Sequence, residues 1–203
     1  MNEILYIVVP CYNEEAVLPE TSRRLREKLE TLAAMGKISP QSRVLFVNDG
    51  SKDRTWEIIR ALHEECPLFS GVDLTRNRGH QNALLAGLMT AKDRCDMAIS
   101  MDADLQDDVD AVDAMVDKFQ EGCDIVYGVR SSRAKDTFFK RFTAEGFYRL
   151  MSLMGAETVF NHADYRLMSR RALEGLAQFK EVNLFLRGIV PMKIGRASCR
   201  ERV

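Results

Sequence analysis

Ile99-Ser-Met-Asp-Ala-Asp-Leu-Gln-Asp-Asp108 sets an apolar run directly before two aspartates spaced one residue apart. The run from Met97 to Met101 has the length and composition of a buried strand. Alternate side chains of an extended chain point the same way. Asp102 and Asp104 are therefore predicted to face one spot beyond the strand's end, with Gln106 joining them if the chain stays extended. Two carboxylates and an amide oxygen, with no Cys or His beside them, form a hard oxygen donor set suited to Mg²⁺ or Mn²⁺. Mg²⁺ in particular is commonly shared with substrate phosphates, which points to a ligand carrying a diphosphate. The competing reading is a solvated loop leading into a helix, with Asp107, Asp108 and Asp110 as acids of its first turn.

Outward from this stretch, short apolar runs alternate with longer amphipathic ones. Strands are predicted at 4–9, 44–47, 71–74, 96–101 and 124–129, and helices at 17–35, 53–66, 79–92 and 109–120. Pro19 suits the first turn of the first helix, and Leu25, Leu29 and Leu32 share one side of it. Strands apolar on both faces, alternating with helices, give an α/β fold whose mostly parallel sheet is covered on both sides. A further helix is expected at 135–154, carrying Phe138, Phe139, Phe142, Phe147, Leu150 and Met154 on a face directed at the core or at lipid. A short strand at 164–168 and a helix from about 169 follow. Residues 195–203 show no periodicity and read as a non-native tail, leaving one domain at 1–194.

The formal net charge of −1 argues against a nucleic-acid binder, which carries a basic excess. Five cysteines without a CxxC pair read as reduced thiols. No apolar run approaches the roughly 20 residues that span a bilayer.

In open α/β sheets ligands bind beyond the carboxyl ends of the strands, and the polar loops of this chain fall there. Pro10-Cys-Tyr-Asn-Glu-Glu15, Asn48-Asp-Gly-Ser-Lys-Asp53 and Thr75-Arg-Asn-Arg-Gly-His80 follow the first three strands, and the acidic loop follows the fourth. Asp49 is a candidate acceptor for a nucleobase, with Gly50 letting a ligand approach the backbone. Tyr12 can lie against a base face, and Glu14 can bind its edge or a ribose hydroxyl. Neither GxGxxG nor GxxxxGK[ST] is present, which excludes the two commonest glycine-rich phosphate cradles.

Val8-Val-Pro-Cys-Tyr-Asn-Glu-Glu15, Val47-Asn-Asp-Gly-Ser51, Arg76-Asn-Arg-Gly-His-Gln81, Met101-Asp-Ala-Asp-Leu-Gln106 and Ala163-Asp-Tyr-Arg-Leu-Met-Ser-Arg170 stand in the order found in family 2 glycosyltransferases of the GT-A fold. Over about residues 4 to 190 the chain resembles the bacterial dolichol-phosphate-mannose-synthase-like branch, which moves a sugar from a nucleoside diphosphate to a polyprenyl phosphate. The resemblance implies a GT-A, Rossmann-like sheet with a nucleotide-binding half at about 1–106 and an acceptor half at about 107–194. It implies a UDP- or GDP-sugar site from Pro10, Tyr12, Asn13, Glu14 and Asp49, with Asn77, Gly79, Asp102, Ala103 and Asp104. It also implies Mg²⁺ or Mn²⁺ on Asp102, Asp104 and Gln106. One departure is Asn48, where the commonest form of the loop has a second aspartate. Relatives usually continue with an Arg-rich segment and two membrane helices. That implies attachment at the cytoplasmic face of the membrane and allows a homo-oligomer.

For catalysis, Asp164 is the candidate base or acceptor-orienting carboxylate, with a salt bridge to Arg166 or Arg170 as its structural alternative. Arg130, with Arg133, is placed to grip phosphates. Without an evident covalent nucleophile, a single displacement with inversion is expected. Transfer to a glycan hydroxyl and a non-catalytic nucleotide-sugar-binding module remain the alternatives.

Overall fold

The computed structural model describes residues 2–129, 162–179 and 198–202. The apolar runs become strands β1 (Leu5–Cys11), β2 (Arg43–Asn48), β3 (Phe69–Asp73), β4 (Met97–Ser100) and β5 (Ile125–Val129). Strands β6 (His162–Ser169) and β7 (Ser198–Arg202) complete one sheet of order β3-β2-β1-β4-β6-β5-β7. Helices α1 (Leu18–Ala34), α2 (Thr55–Glu65), α3 (His80–Ala91) and α4 (Ala111–Gln120) lie close to their sequence-based ranges, and α5 (Arg170–Leu176) follows β6.

The β3-β2-β1-β4 side is parallel, as the pattern predicts. Beyond it the expectation needs refining. β6 inserts antiparallel between β4 and β5, so the fifth strand in sequence is not the neighbour of the fourth. Residues set aside as a tail supply β7, parallel to β5. Arg130, Arg133 and the 135–154 helix lie outside the described residues.

Alternation along the strands divides the core. Leu5, Ile7 and Val9 pack with Leu25, Leu29 and Leu32 of α1 and with Val112 and Met115 of α4. Val8 faces the opposite layer with Leu84 and Leu88 of α3 and Leu173 of α5. Both faces of β1 are thereby removed from water, which explains its unbroken apolar reading. Pro10 is tolerated in this central strand because β1–β4 pairing ends at Val8↔Ser100. Its missing N–H falls on that side and breaks no ladder bond.

Gly87 sets the closest approach of α3 to the sheet. A Cβ there would sit 2.4 Å from Val8 Cγ1 and 2.7 Å from Val47 Cγ2. Gly87→Ala is therefore expected to destabilise the fold by about 1–3 kcal/mol, the cost of overpacking, despite the better helix propensity of alanine. Chemical denaturation monitored by circular dichroism checks this.

Cys11, Cys66 and Cys95 are free thiols, whereas Cys123 is disulfide-bonded, which corrects the all-thiol reading. A pairing that depends on tertiary proximity leaves no trace in cysteine spacing. Among the described residues no helix is long and apolar enough to cross a membrane.

Candidate functional site

The loops after β1 and β2 are laced together backbone to side chain. Asn13 adopts a left-handed φ of 57°. Its N–H donates to Ser51 Oγ (3.0 Å), and its Oδ1 accepts from the Lys52 N–H (2.8 Å). Glu14 N–H donates to Thr55 Oγ1 (2.9 Å), and Glu15 Oε2 accepts from the Arg54 N–H (3.0 Å). Asn13 thus serves the loop–loop junction, and the junction leaves Tyr12 with 41% of its surface exposed at the sheet edge.

Asp49 has a role within the fold that the sequence does not show. It is buried, with Oδ1 accepting from the Arg78 N–H (2.7 Å) and Oδ2 from the Gly79 N–H (2.9 Å), so it anchors the loop after β3. Asn77 Oδ1 accepts from the same Gly79 N–H (3.0 Å), so that N–H is shared between Asn77 and Asp49. Gly50 has a φ of 66°, and a Cβ there would lie 2.6 Å from the backbone of Arg76 and Asn77. It admits the close approach of the neighbouring loop. Asn48 has its own reason: its Nδ2 donates to Asp73 Oδ1 (2.7 Å), where an aspartate would set two carboxylates together.

The acidic loop does not stay extended. It turns at Ala103–Asp104, with Leu105 at φ 58°, and the Gln106 N–H donates back to Asp104 Oδ1 (3.1 Å). Gln106 lines a groove of about 570 Å³ with Arg24 and Lys28 of α1. The turn, rather than an extended chain, therefore sets where Gln106 stands relative to Asp102. Three other contacts hold the loop. The buried Thr21 hydroxyl donates to the Ala103 carbonyl (2.6 Å), Tyr165 Oη donates to the Asp108 carbonyl (2.8 Å), and Asp107 Oδ2 accepts from the Asp102 N–H (3.5 Å).

Asp102 and Asp164 meet through a residue the sequence reading gave no role. His80 Nε2, at the start of α3, lies 3.6 Å from Asp102 Oδ1 and 3.6 Å from Asp164 Oδ2. Asp164, on β6, is buried at 7% exposure and takes Arg166 Nη2 on Oδ1 (3.0 Å) and Gln81 Nε2 on Oδ2 (3.1 Å). Its ion-pair partner is Arg166; Arg170 pairs with Asp96.

Burial raises the Asp102 carboxyl above its usual range, against the pull of His80 and with repulsion from Asp107, Asp164 and Asp104. Glu14 is raised likewise, by burial first and then by Asp104, Asp53 and Asp102. Oxygen donors that repel one another suit a hard divalent cation. Among the described residues no group of three His, Cys, Asp or Glu side chains is preset around an ion. Asp102 and Asp104 therefore fit an ion that draws its remaining ligands from a phosphate-bearing substrate and water.

Thr21→Val is expected to strand the Ala103 carbonyl, at about 1–3 kcal/mol, and to weaken Mn²⁺ binding several-fold. Thr21→Ser retains the hydroxyl and is expected to bind like the wild type. Calorimetric titration of Mn²⁺ into both variants measures the difference.

With this geometry in hand, comparison with known proteins is direct. The family model "Glycosyl transferase family 2" matches residues 6–176. The chain is 55% identical over 189 residues to the uncharacterized glycosyltransferase YkoT of Bacillus subtilis (strain 168), covering 93% of this chain and 56% of that protein. It is 38% identical over 199 residues to the bactoprenol glucosyl transferase of Shigella phage SfV, covering 97% of this chain and 62% of that one. The chain thus spans somewhat more than half the length of these relatives. Among solved structures, the mannosyltransferase PcManGT of Pyrobaculum calidifontis, in complex with GDP-Man and Mn²⁺, superposes with a TM-score of 0.62 at 20% identity. That match covers 100% of this chain and 55% of the archaeal one, and it shows a shared GT-A fold. Sequence and fold agree, and the chain belongs to glycosyltransferase family 2.

Proposed function

We propose that this domain moves a hexose from a UDP- or GDP-linked donor to a polyprenyl phosphate, with Mg²⁺ or Mn²⁺ and with inversion at the anomeric carbon. The observation that carries the reading is the meeting of Asp102 and Asp164 about His80 at the carboxyl edge of the sheet. It brings a phosphate-binding loop and a second, oriented carboxylate within one small site. The bactoprenol glucosyl transferases, at 38% identity, support the polyprenyl phosphate acceptor, and Mn²⁺ in the archaeal mannosyltransferase supports the ion.

In this reading Tyr12 flanks the base, Glu14 binds ribose hydroxyls, and Asp102 with Asp104 holds the ion. Asn13, Asp49 and Gly79 act through the loops they fix. A bound divalent ion supplies neutralisation of the charge that develops on the departing diphosphate. Arg166 and Gln81 hold Asp164 in one orientation. A phosphate acceptor is already largely dianionic at neutral pH, its second pKa being about 6, so Asp164 orients it and has little proton to remove. Arg130 adds a bidentate partner for phosphate. In this reading the transfer takes place at the cytoplasmic face of the membrane, with the polyprenyl chain of the acceptor in the bilayer.

Calorimetric titration of UDP, GDP, UDP-glucose and GDP-mannose, with Mn²⁺ and with EDTA, tests this. Saturable, Mn²⁺-dependent binding of one nucleotide is expected. Equal binding in EDTA would remove the metal from the reading, and no binding by folded protein would overturn the donor site.

A further inference from the structure

We infer that Gln81 reads a hydroxyl of the donor sugar, an assignment that rests on the nucleotide-sugar reading above. Gln81 stands in the first turn of α3 and remains partly exposed as a residue. Its Nε2 donates to Asp164 Oδ2 at 3.1 Å, which fixes the orientation of the amide. Turned the other way, Oε1 would set an acceptor against the carboxylate oxygen of Asp164, whose other oxygen pairs with Arg166. Oε1 is consequently directed away from Asp164, shielded from solvent, and it accepts no hydrogen bond among the described residues.

Native proteins rarely leave such an atom alone, because a buried acceptor without a donor forfeits its hydration. Its missing partner has to be a hydrogen-bond donor. An ionised phosphate offers only acceptors and is excluded on that ground, whereas a sugar hydroxyl qualifies. Position agrees with chemistry. From Asp102 to Gln81 the side chains touch in steps of 3.6, 3.6 and 3.1 Å, through His80 and Asp164. Gln81 thus shares one small site with the loop proposed above to hold the donor diphosphate. A site built around such a bond rejects the analogue that lacks the hydroxyl, because the acceptor is then left bare.

The test is a cycle between side chain and hydroxyl. UDP, UDP-glucose and its 2-, 3-, 4- and 6-deoxy analogues are titrated with Mn²⁺ into the wild type and Gln81→Met. On the wild type, one deoxy analogue is expected to bind about tenfold more weakly than UDP-glucose, the equivalent of about 1.4 kcal/mol. On Gln81→Met that analogue and UDP-glucose are expected to bind alike, while UDP binds both proteins equally and shows the variant to be folded. If every deoxy analogue loses the same factor on both proteins, the Gln81 assignment is overturned and the donor site stands. If the wild type prefers GDP, the same cycle is run with GDP-mannose and its deoxy analogues; if it binds neither nucleotide nor either sugar conjugate, the donor-site reading falls and this assignment with it.

Discussion

Asp102→Asn is expected to abolish Mn²⁺-dependent nucleotide binding and to lower transfer by about 10²–10³-fold, the usual cost of removing one preorganised electrostatic partner. The same variant is expected to be more heat-stable than the wild type in EDTA, and the contrast makes the test sharp. Asp102 is raised by burial and by the carboxylates of Asp107, Asp164 and Asp104, with His80 the one opposing influence. A carboxyl whose folded-state pKa exceeds its unfolded value contributes stability at low pH and loses it as pH rises through the folded value. The contribution of Asp102 to the metal-free wild type should therefore decline from the ordinary carboxylate range upward, and Asp102→Asn should lack that decline when the two pH profiles are subtracted. Mn²⁺ acts in the opposite sense, since it needs the carboxylate deprotonated. Its stabilising effect on the wild type should grow with pH, reaching about 2.7 kcal/mol at a hundredfold excess over Kd. Scanning calorimetry of both proteins across pH, with Mn²⁺ and with EDTA, reads all of these. A metal-induced rise in melting temperature that survives in Asp102→Asn would remove Asp102 from the ion site.

The parts of the molecule legible in sequence are those that local pattern controls. The periodic leucines of α1 and the two-sided apolar strands fixed the helices and the parallel half of the sheet. The loops following β1 to β4 announced themselves by composition alone. What escaped depends on partners distant in the chain. The antiparallel insertion of β6 is a choice of neighbour, and an eight-residue strand carries no mark of its direction. His80 and Gln81 stood inside a quoted motif, yet their meaning comes from Asp164, 83 residues beyond Gln81. Thr21 reads as an unremarkable helix residue until its hydroxyl is seen on the Ala103 carbonyl, 82 residues away. The conformation around Gln106 escaped for a local reason: the left-handed turn at Leu105 ends the extended chain that the alternation assumed. The loop-anchoring bonds of Asp49 were hidden because a carboxylate after a strand caps a neighbouring loop as readily as it meets a ligand, and spacing does not separate the two.

Arg166→Met is expected to cost about 3–5 kcal/mol of stability, the range for removing one partner of a buried ion pair. Arg166 is 0% exposed and Asp164 7%, so the carboxylate that remains is held away from the water that would otherwise solvate it. At about 2–4 °C per kcal/mol for a chain of this size, the melting temperature should fall by roughly 6–20 °C. That loss alone does not say whether Asp164 serves the fold or the reaction. The double variant Asp164→Leu/Arg166→Met does, because replacing a buried pair by apolar groups of similar volume is often neutral or stabilising. Stability is expected to return toward the wild type in the double variant while transfer to a polyprenyl phosphate stays lost, and UDP-sugar binding measured alongside shows the donor half intact. Asp164→Asn completes the series, since its amide still meets Gln81 and Arg166 in part but no longer carries the charge. Low transfer in Asp164→Asn with near-normal stability assigns the charge of Asp164 to the acceptor. An active, stable double variant would instead make the pair a framework element of β6, with the orientation of the acceptor left to Arg130.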